Sequence, residues 1–126
     1  MDVKDCKILI VDDVPTNVEL LSAIVKTLQA KYEVAYSGEE ALAKVDVFKP
    51  DIILLDLMMP DITGWKVIKE IRTKYSKKEM AIIVTSALTD HENISECYSL
   101  GIDDYVAKPI LPSRIINSIM IHCEDL

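Results

Sequence analysis

Asp51-Ile52-Ile53-Leu54-Leu55-Asp56-Leu57-Met58-Met59-Pro60 is the segment on which the fold assignment turns. Its consecutive apolar residues, led in by the turn-type Lys49, Pro50 and Asp51, predict a short strand buried on both faces. Asp56 stands where that run should continue, and Pro60 stops any strand soon after. A carboxylate at the end of a buried strand is costly unless something pairs with it. In an open α/β sheet the C-terminal edge of the strands is also where ligands bind. Taken alone, the stretch reads more readily as a strand ending in a turn-capping Asp. The rest of the chain overturns that.

Upstream, Lys7-Ile8-Leu9-Ile10-Val11 is a β-branched run followed at once by Asp12-Asp13, a first buried strand ending in two carboxylates. Pro15-Thr16-Asn17 opens a helix, with Thr16 and Glu19 spaced as a capping box. Leu21, Ile24, Val25 and Leu28 form its apolar face, and it should end near Gln29. Tyr32 to Tyr36 alternates as a strand does. Ser37 and Glu40 are spaced as a second capping box, ahead of a helix carrying Ala41, Leu42, Val45 and Phe48 and stopped by Lys49-Pro50.

Downstream, the turn-rich Pro60-Asp61-Ile62-Thr63-Gly64 leads to a helix with Val67, Ile68, Ile71 and Tyr75. Trp65 falls on that helix, near the site without taking part in it. Met80 to Thr85 is a fourth strand, followed by Ser86. Thr89 and Glu92 are spaced as a third capping box, before a helix with Ile94, Cys97 and Tyr98 closed by Gly101. Asp104-Tyr105-Val106-Ala107 is a short fifth strand running into Lys108-Pro109, and Pro112 starts a last helix reaching about Cys123. Five β-then-α units predict an α/β fold, a doubly wound five-stranded parallel sheet flanked by five helices, in one domain over residues 1–126. The flavodoxin-like order 2-1-3-4-5 makes strands 1 and 3 neighbours at the switch point and brings Asp12, Asp13 and Asp56 together.

Composition narrows the function. A net charge of −7, from 14 basic and 21 acidic residues, argues against direct nucleic-acid binding through a broad basic face. No apolar run approaches the ~18 residues that span a bilayer, so no membrane association is expected. The start Met1-Asp2-Val3-Lys4-Asp5 lacks the basic and apolar regions of a signal peptide, and a cytoplasmic location is the expectation. Cys6, Cys97 and Cys123 form no CxxC pair and read as buried free thiols. His91 and His122 have no partner at metal spacing and read as surface or helix-end residues.

Three carboxylates at adjacent strand ends repel unless a cation sits among them. Hard oxygen ligands with open positions suit Mg²⁺, which favours sites shared with phosphate. Ser86 offers a hydroxyl at the neighbouring strand end, and Lys108 a positive charge with a long reach. Carboxylates, Mg²⁺, hydroxyl and ammonium together make a site for a phosphoryl group, with a nucleophile and donors for its oxygens.

In this arrangement the chain resembles the receiver domain of two-component response regulators. The pattern comprises Asp12-Asp13, Asp56 with Met59-Pro60 close behind, Ser86-Ala87, Tyr105 and Lys108-Pro109, in order and at matching intervals. The 2-1-3-4-5 sheet is known from members of that family, so fold and family are one assignment. The resemblance implies that Asp56 is the phosphoacceptor, taking its phosphoryl group from a phosphohistidine on a sensor histidine kinase or a phosphotransfer protein. It implies that Asp13 binds Mg²⁺ directly and Asp12 directly or through water, with the backbone carbonyl of Met58 as a further ligand beside Asp56. Ser86, chosen over Thr85 because it lies 22 residues before Lys108 and precedes Ala87, would hydrogen-bond a phosphoryl oxygen, and Lys108 would pair with another. The family has a cis Lys108–Pro109 bond. Tyr105 is either an ordinary strand aromatic or, with Ser86, a switch whose ring turns inward on phosphorylation.

Such a protein is a phosphoacceptor that assists its own phosphotransfer, not an enzyme. A haloacid-dehalogenase-type phosphatase needs a second carboxylate two residues beyond its nucleophile, where this chain has Met58. Flavin binding needs a hydroxyl- and Gly-rich loop where Asp12-Asp13-Val14-Pro15 stands. A receiver-like module that has lost phosphorylation is disfavoured because every acceptor-site residue is present. The wide apolar band Ile115, Ile116, Ile119, Met120, Ile121 and Cys123 on the fifth helix predicts a face, shared with the fourth helix and Tyr105, that forms a homodimer or docks a partner after phosphorylation. Whether the chain stands alone or belongs to a longer protein stays open at this stage, as do its cognate kinase and its output.

Overall fold

The apolar runs form strands because β-branched residues pack well on a pleated surface, and they are continuous because helices cover both faces. The computed structural model describes all 126 residues. Its elements run β1 (Lys7–Val11), α1 (Pro15–Thr27), β2 (Lys31–Ala35), α2 (Gly38–Phe48), β3 (Ile52–Asp56), α3 (Gly64–Lys74), β4 (Ala81–Ser86), α4 (His91–Ser99), β5 (Asp104–Ala107) and α5 (Pro112–Glu124), after a short 3-10 turn at Val3–Asp5. All pairings are parallel, in the order β2-β1-β3-β4-β5. This is the flavodoxin-like sheet expected from the sequence.

Alternation along the strands divides the core in two. Leu9, Val11, Ile53, Leu55, Ile82 and Val84 point toward α2, α3 and α4 and meet Val45, Val67, Ile71 and Cys97. Ile8, Ile10, Ile52, Leu54, Ile83 and Val106 point toward α1 and α5 and meet Leu21, Val25, Ile115 and Ile119. Burying each large aliphatic side chain contributes about 1.5–3 kcal/mol, so the two layers hold the sheet rigid beneath its loops. The three cysteines are free and buried, as expected. No helix is long and apolar enough to cross a membrane.

Two of the three expected capping boxes are absent. The N-cap of α1 is Val14, with Pro15 at the first helical position and no side-chain cap bond. Thr16 therefore already lies inside the first turn and cannot cap it. At α4 the N-cap is Asp90, whose carboxylate accepts from the Asn93 N–H at 3.2 Å. An anionic carboxylate next to the positive end of the helix is the stronger cap, and it moves the start one residue past Thr89. At α2 the expectation holds in a shifted form. Ser37 Oγ accepts from the Glu40 N–H at 3.1 Å, while the Glu40 carboxylate accepts from the Tyr36 N–H, rather than that of Ser37, at 2.8 Å.

Away from the strand ends that carry the carboxylates, Arg72 fastens three elements. Its guanidinium donates to Gly101 O at 2.8 Å, to Met80 O at 2.7 Å and to Asp103 Oδ2 at 2.9 Å. Asp103 Oδ2 also accepts from the Ile82 N–H at 2.8 Å. The end of α3, the start of β4 and the turn before β5 are thereby locked together, and no local pattern announces it.

Candidate functional site

Asp12, Asp56 and Thr85 belong to the same alternation set as Ile10, Leu54 and Ile83, so all three side chains lie on the α1/α5 face at the C-terminal edge. Thr85 is the register partner of Asp56. Asp12 lies just past β1, but its N–H still donates to Ala35 O at 3.1 Å and keeps it on the ladder. Carboxylate oxygens of Asp12, Asp13 and Asp56 lie within 4.8 Å of one another. The convergence expected at the switch point is present.

Each carboxylate has a different environment. Asp12 is fully buried; its Oδ1 accepts from the Val14 N–H at 2.9 Å and its Oδ2 from Lys108 Nζ at 3.1 Å. Asp13 is half-buried and the most exposed of the three. Asp56 is 4% exposed, with Lys108 Nζ 3.4 Å from its Oδ1. Burial pushes the Asp56 carboxyl above its ordinary range; Lys108 opposes the rise, Asp12 adds to it, and the Met58 amide opposes it again. A group that resists ionisation between two other carboxylates calls for more positive charge than one lysine supplies. The donor set is all oxygen and open on the Asp13 side, which fits Mg²⁺ with part of its water retained.

Lys108 arrives from beyond β5 and crosses the end of β4 to reach β3 and β1. Its backbone N–H donates to Ser86 O at 2.8 Å and its bond to Pro109 is cis, as expected. Ser86 is buried at the end of β4, one residue past the level of Asp56, and its hydroxyl accepts from the Leu88 N–H at 3.1 Å. Tyr105 is turned inward, 9% exposed, and its hydroxyl donates to Leu88 O at 2.6 Å. Burial pushes the Tyr105 hydroxyl pKa up. Ser86 and Tyr105 thus hold the same β4–α4 loop from its two sides. The Met58 side chain is 59% exposed, while Met59 is buried in the core on the α2/α3 face. Trp65 lies on α3 against the core, outside the acidic cluster.

Two residues that shape the site escaped the sequence reading. Gly64 N–H donates to Leu57 O at 2.8 Å, and a Cβ there would stand 2.6 Å from both Asp56 O and Leu57 Cα. Only glycine lets α3 close so tightly onto the end of β3; a Gly after a Pro-containing turn was the available sign. Asp61 reaches across to α2 and accepts from the Gly38 and Glu39 N–H groups at 3.1 and 2.9 Å. The Glu39 amide first, then those of Ile62 and Gly38, hold its carboxyl below the usual range. The β3–α3 loop is therefore pinned at both ends around Met58.

Residues 8–120 match the family described as response regulator receiver domain. The chain is 35% identical to the chemotaxis protein CheY of Thermotoga maritima, with 90% of this chain and 93% of that protein aligned. This chain belongs to the response regulator receiver family. The receiver is also 33% identical to the DNA-binding response regulator MtrA of Mycolicibacterium smegmatis, over 92% of this chain but 50% of that protein. It is 36% identical to the hybrid signal transduction histidine kinase L of Dictyostelium discoideum, over 86% of this chain and 7% of that protein. It thus spans half or less of several relatives it matches. A crystal structure of a two-component response regulator from Clostridium difficile superposes with a TM-score of 0.89 at 26% identity, covering 95% of this chain and 97% of that one. Receivers of this family are phosphoacceptors of two-component systems and generally bind Mg²⁺ at an acidic pocket.

Proposed function

We propose that Asp56 is the phosphoacceptor of this receiver, with Asp12, Asp13, Asp56 and the Met58 carbonyl as the Mg²⁺ ligands and Ser86 and Lys108 as phosphoryl-binding groups. One observation carries this reading: a buried carboxylate ends the central strand with an ammonium 3.4 Å from one oxygen and two further carboxylates within 4.8 Å. In the transfer, an Asp56 oxygen attacks the phosphorus of a phosphohistidine, the P–N bond breaks, and its electron pair returns to the imidazole. Lys108 and the Ser86 hydroxyl, carried on the ends of β5 and β4, stabilise charge on the phosphoryl oxygens. When bound, Mg²⁺ supplies the remaining positive charge and orients the phosphoryl group.

Formation of the acyl phosphate would draw Lys108 and Ser86 toward the phosphoryl oxygens. Ser86 is bonded to the loop whose Leu88 carbonyl holds Tyr105, so the same shift reaches β5 and α4. Beside them, Tyr98 is 46%, Leu111 64%, Met120 38% and Ile121 57% exposed, while Ile115, Ile119 and Cys123 are consumed by the core. The exposed half of that apolar band supports a docking face for a second copy or an output partner. The phosphodonor is a histidine kinase or a phosphotransfer protein of the cytoplasm, and a net charge of −7 speaks against nucleic-acid contact by this domain.

The test is incubation with acetyl phosphate and Mg²⁺ followed by mass spectrometry. A hydroxylamine-labile phosphoryl adduct should form on the wild type and be absent from Asp56→Asn. Its persistence in that variant would remove Asp56 from the role; its absence from the wild type would leave a receiver fold that signals without phosphorylation. Light scattering with and without beryllofluoride tests the dimer, and an unchanged monomer moves the docking face to a heterologous partner.

A further inference from the structure

Thr85 Oγ1 and Trp65 Nε1 are the two buried side-chain polar atoms that make no hydrogen bond, and Thr85 is fully buried. A buried hydroxyl without a partner has given up its bonds to water for nothing, so valine would serve this position better unless the hydroxyl is used in another state. Its place says which. Thr85 is the register partner of Asp56 and shares its face of the sheet. β4 lies between β3 and β5, so the Lys108 side chain must pass over the Thr85 level to bring Nζ within 3.4 Å of Asp56 Oδ1. Adjacent strands lie about 4.8 Å apart, and rotation about the Thr85 Cα–Cβ bond can swing its hydroxyl to hydrogen-bond distance of the neighbouring carboxylate. In the unphosphorylated site, Lys108 already serves that side of Asp56.

We propose that Thr85 is a positioning residue of the phosphorylated state: once a phosphoryl group draws Lys108 outward, the Thr85 hydroxyl donates to the acyl oxygen of Asp56 from within the sheet face. The inference rests on Asp56 being the acceptor. It has a definite kinetic sign. In hydrolysis, water attacks phosphorus, the P–O bond to Asp56 breaks, its electron pair stays on Asp56 as a carboxylate, and inorganic phosphate leaves. Negative charge grows on the Asp56 oxygens along that path, and a donor aimed at them stabilises the transition state more than the acyl phosphate. Thr85 therefore shortens the lifetime of the signal.

The experiment compares wild type, Thr85→Val and Thr85→Ser after loading with acetyl phosphate and Mg²⁺ and removal of the donor. Thr85→Val should lose its phosphoryl group about fivefold more slowly, the effect of one neutral hydrogen bond. The infrared band of its acyl carbonyl should move to higher frequency, because the carbonyl has lost a donor. Thr85→Ser should restore both, and Thr85→Val should melt at or above the wild-type temperature, so that slow hydrolysis is not a folding defect. A Thr85→Val protein that decays as fast as wild type, an unmoved carbonyl band, or a Thr85→Ser protein that restores neither overturns the inference while leaving Asp56 as acceptor. If the wild type forms no acyl phosphate at all, the acceptor reading fails and this inference with it.

Discussion

Replacing Asp56 by asparagine exchanges a buried carboxylate for a neutral group of the same shape, and its effect on stability can be estimated. Asp12 and Asp13 each place an oxygen within 4.8 Å of Asp56, a repulsion of at least about 3.5 kcal/mol apiece at an effective dielectric of 20. Lys108 at 3.4 Å returns about 5 kcal/mol by the same measure. Asparagine removes both repulsions and this one attraction, and Lys108 keeps Asp12 as its partner. The pairwise balance favours asparagine by about 2 kcal/mol before the relief of desolvation is added. Without Mg²⁺ at neutral pH, Asp56→Asn should therefore melt about 6–10 °C above wild type.

The pH dependence follows from the direction of the Asp56 shift. Burial raises its folded-state pKa above the unfolded value. The contribution of its protonated form is then complete below the unfolded pKa and is lost as pH rises through the folded one. The advantage of asparagine should vanish below about pH 4 and open as pH rises from there. Mg²⁺ should narrow the gap, since only the folded wild type gathers its full ligand set; at ten times Kd the gain is about 1.4 kcal/mol. The assay is thermal unfolding followed by circular dichroism, for both proteins, across pH and with EDTA or Mg²⁺. An Asp56→Asn protein less stable than wild type at pH 7 in EDTA, or equal Mg²⁺ gains in the two, would refute the electrostatic account.

Three further outcomes are expected. Gly64→Ala sets a methyl 2.6 Å from backbone at the end of β3; it should cost about 1–3 kcal/mol and weaken Mg²⁺ binding by shifting the Met58 carbonyl, both readable in a melting titration. The receiver resemblance implies that the residues two beyond the acceptor and two beyond the hydroxyl residue, here Met58 and Leu88, flank the attacking water; neither can position it by good hydrogen bonds, so self-dephosphorylation should be slow and Met58→Asn with Leu88→Glu should speed it about tenfold, a gain of ~1.4 kcal/mol; wild-type decay within seconds, or no acceleration, would contradict this. Burial works to raise the Asp104 carboxyl, but hydrogen bonds from Arg114 and Ser118 outweigh it and hold the pKa below its ordinary value. That stability is present above the unfolded pKa and lost as pH falls through the folded one, so Asp104→Asn should cost about 1 kcal/mol in urea unfolding at pH 7, and the difference should close in acid.

Local pattern and the switch-point rule suffice for the elements, their order and the residues of the acidic site. Strands such as Lys7–Val11 and Asp104–Ala107 match their expected bounds because apolar continuity and β-branching act within a few neighbours. The switch-point rule then brings Asp12, Asp13 and Asp56 together without any knowledge of side-chain contacts. Spacing decides less at helix starts: Thr16–Glu19 and Thr89–Glu92 have capping spacing, yet Pro15 and Asp90 start those helices elsewhere, because competing caps are separated by about 1 kcal/mol or less. Contacts that span the chain are legible only in the packed fold. Lys108 meets Asp12 across 96 positions, Arg72 locks two distant turns, and Gly64 must be bare because β3 passes beneath it. The inward seat of Tyr105 and the unpartnered hydroxyl of Thr85 belong to the same class. Each depends on which side chain arrives from another element, and that is set by the packing of two helical layers on a twisted sheet rather than by any periodicity a strand or helix carries.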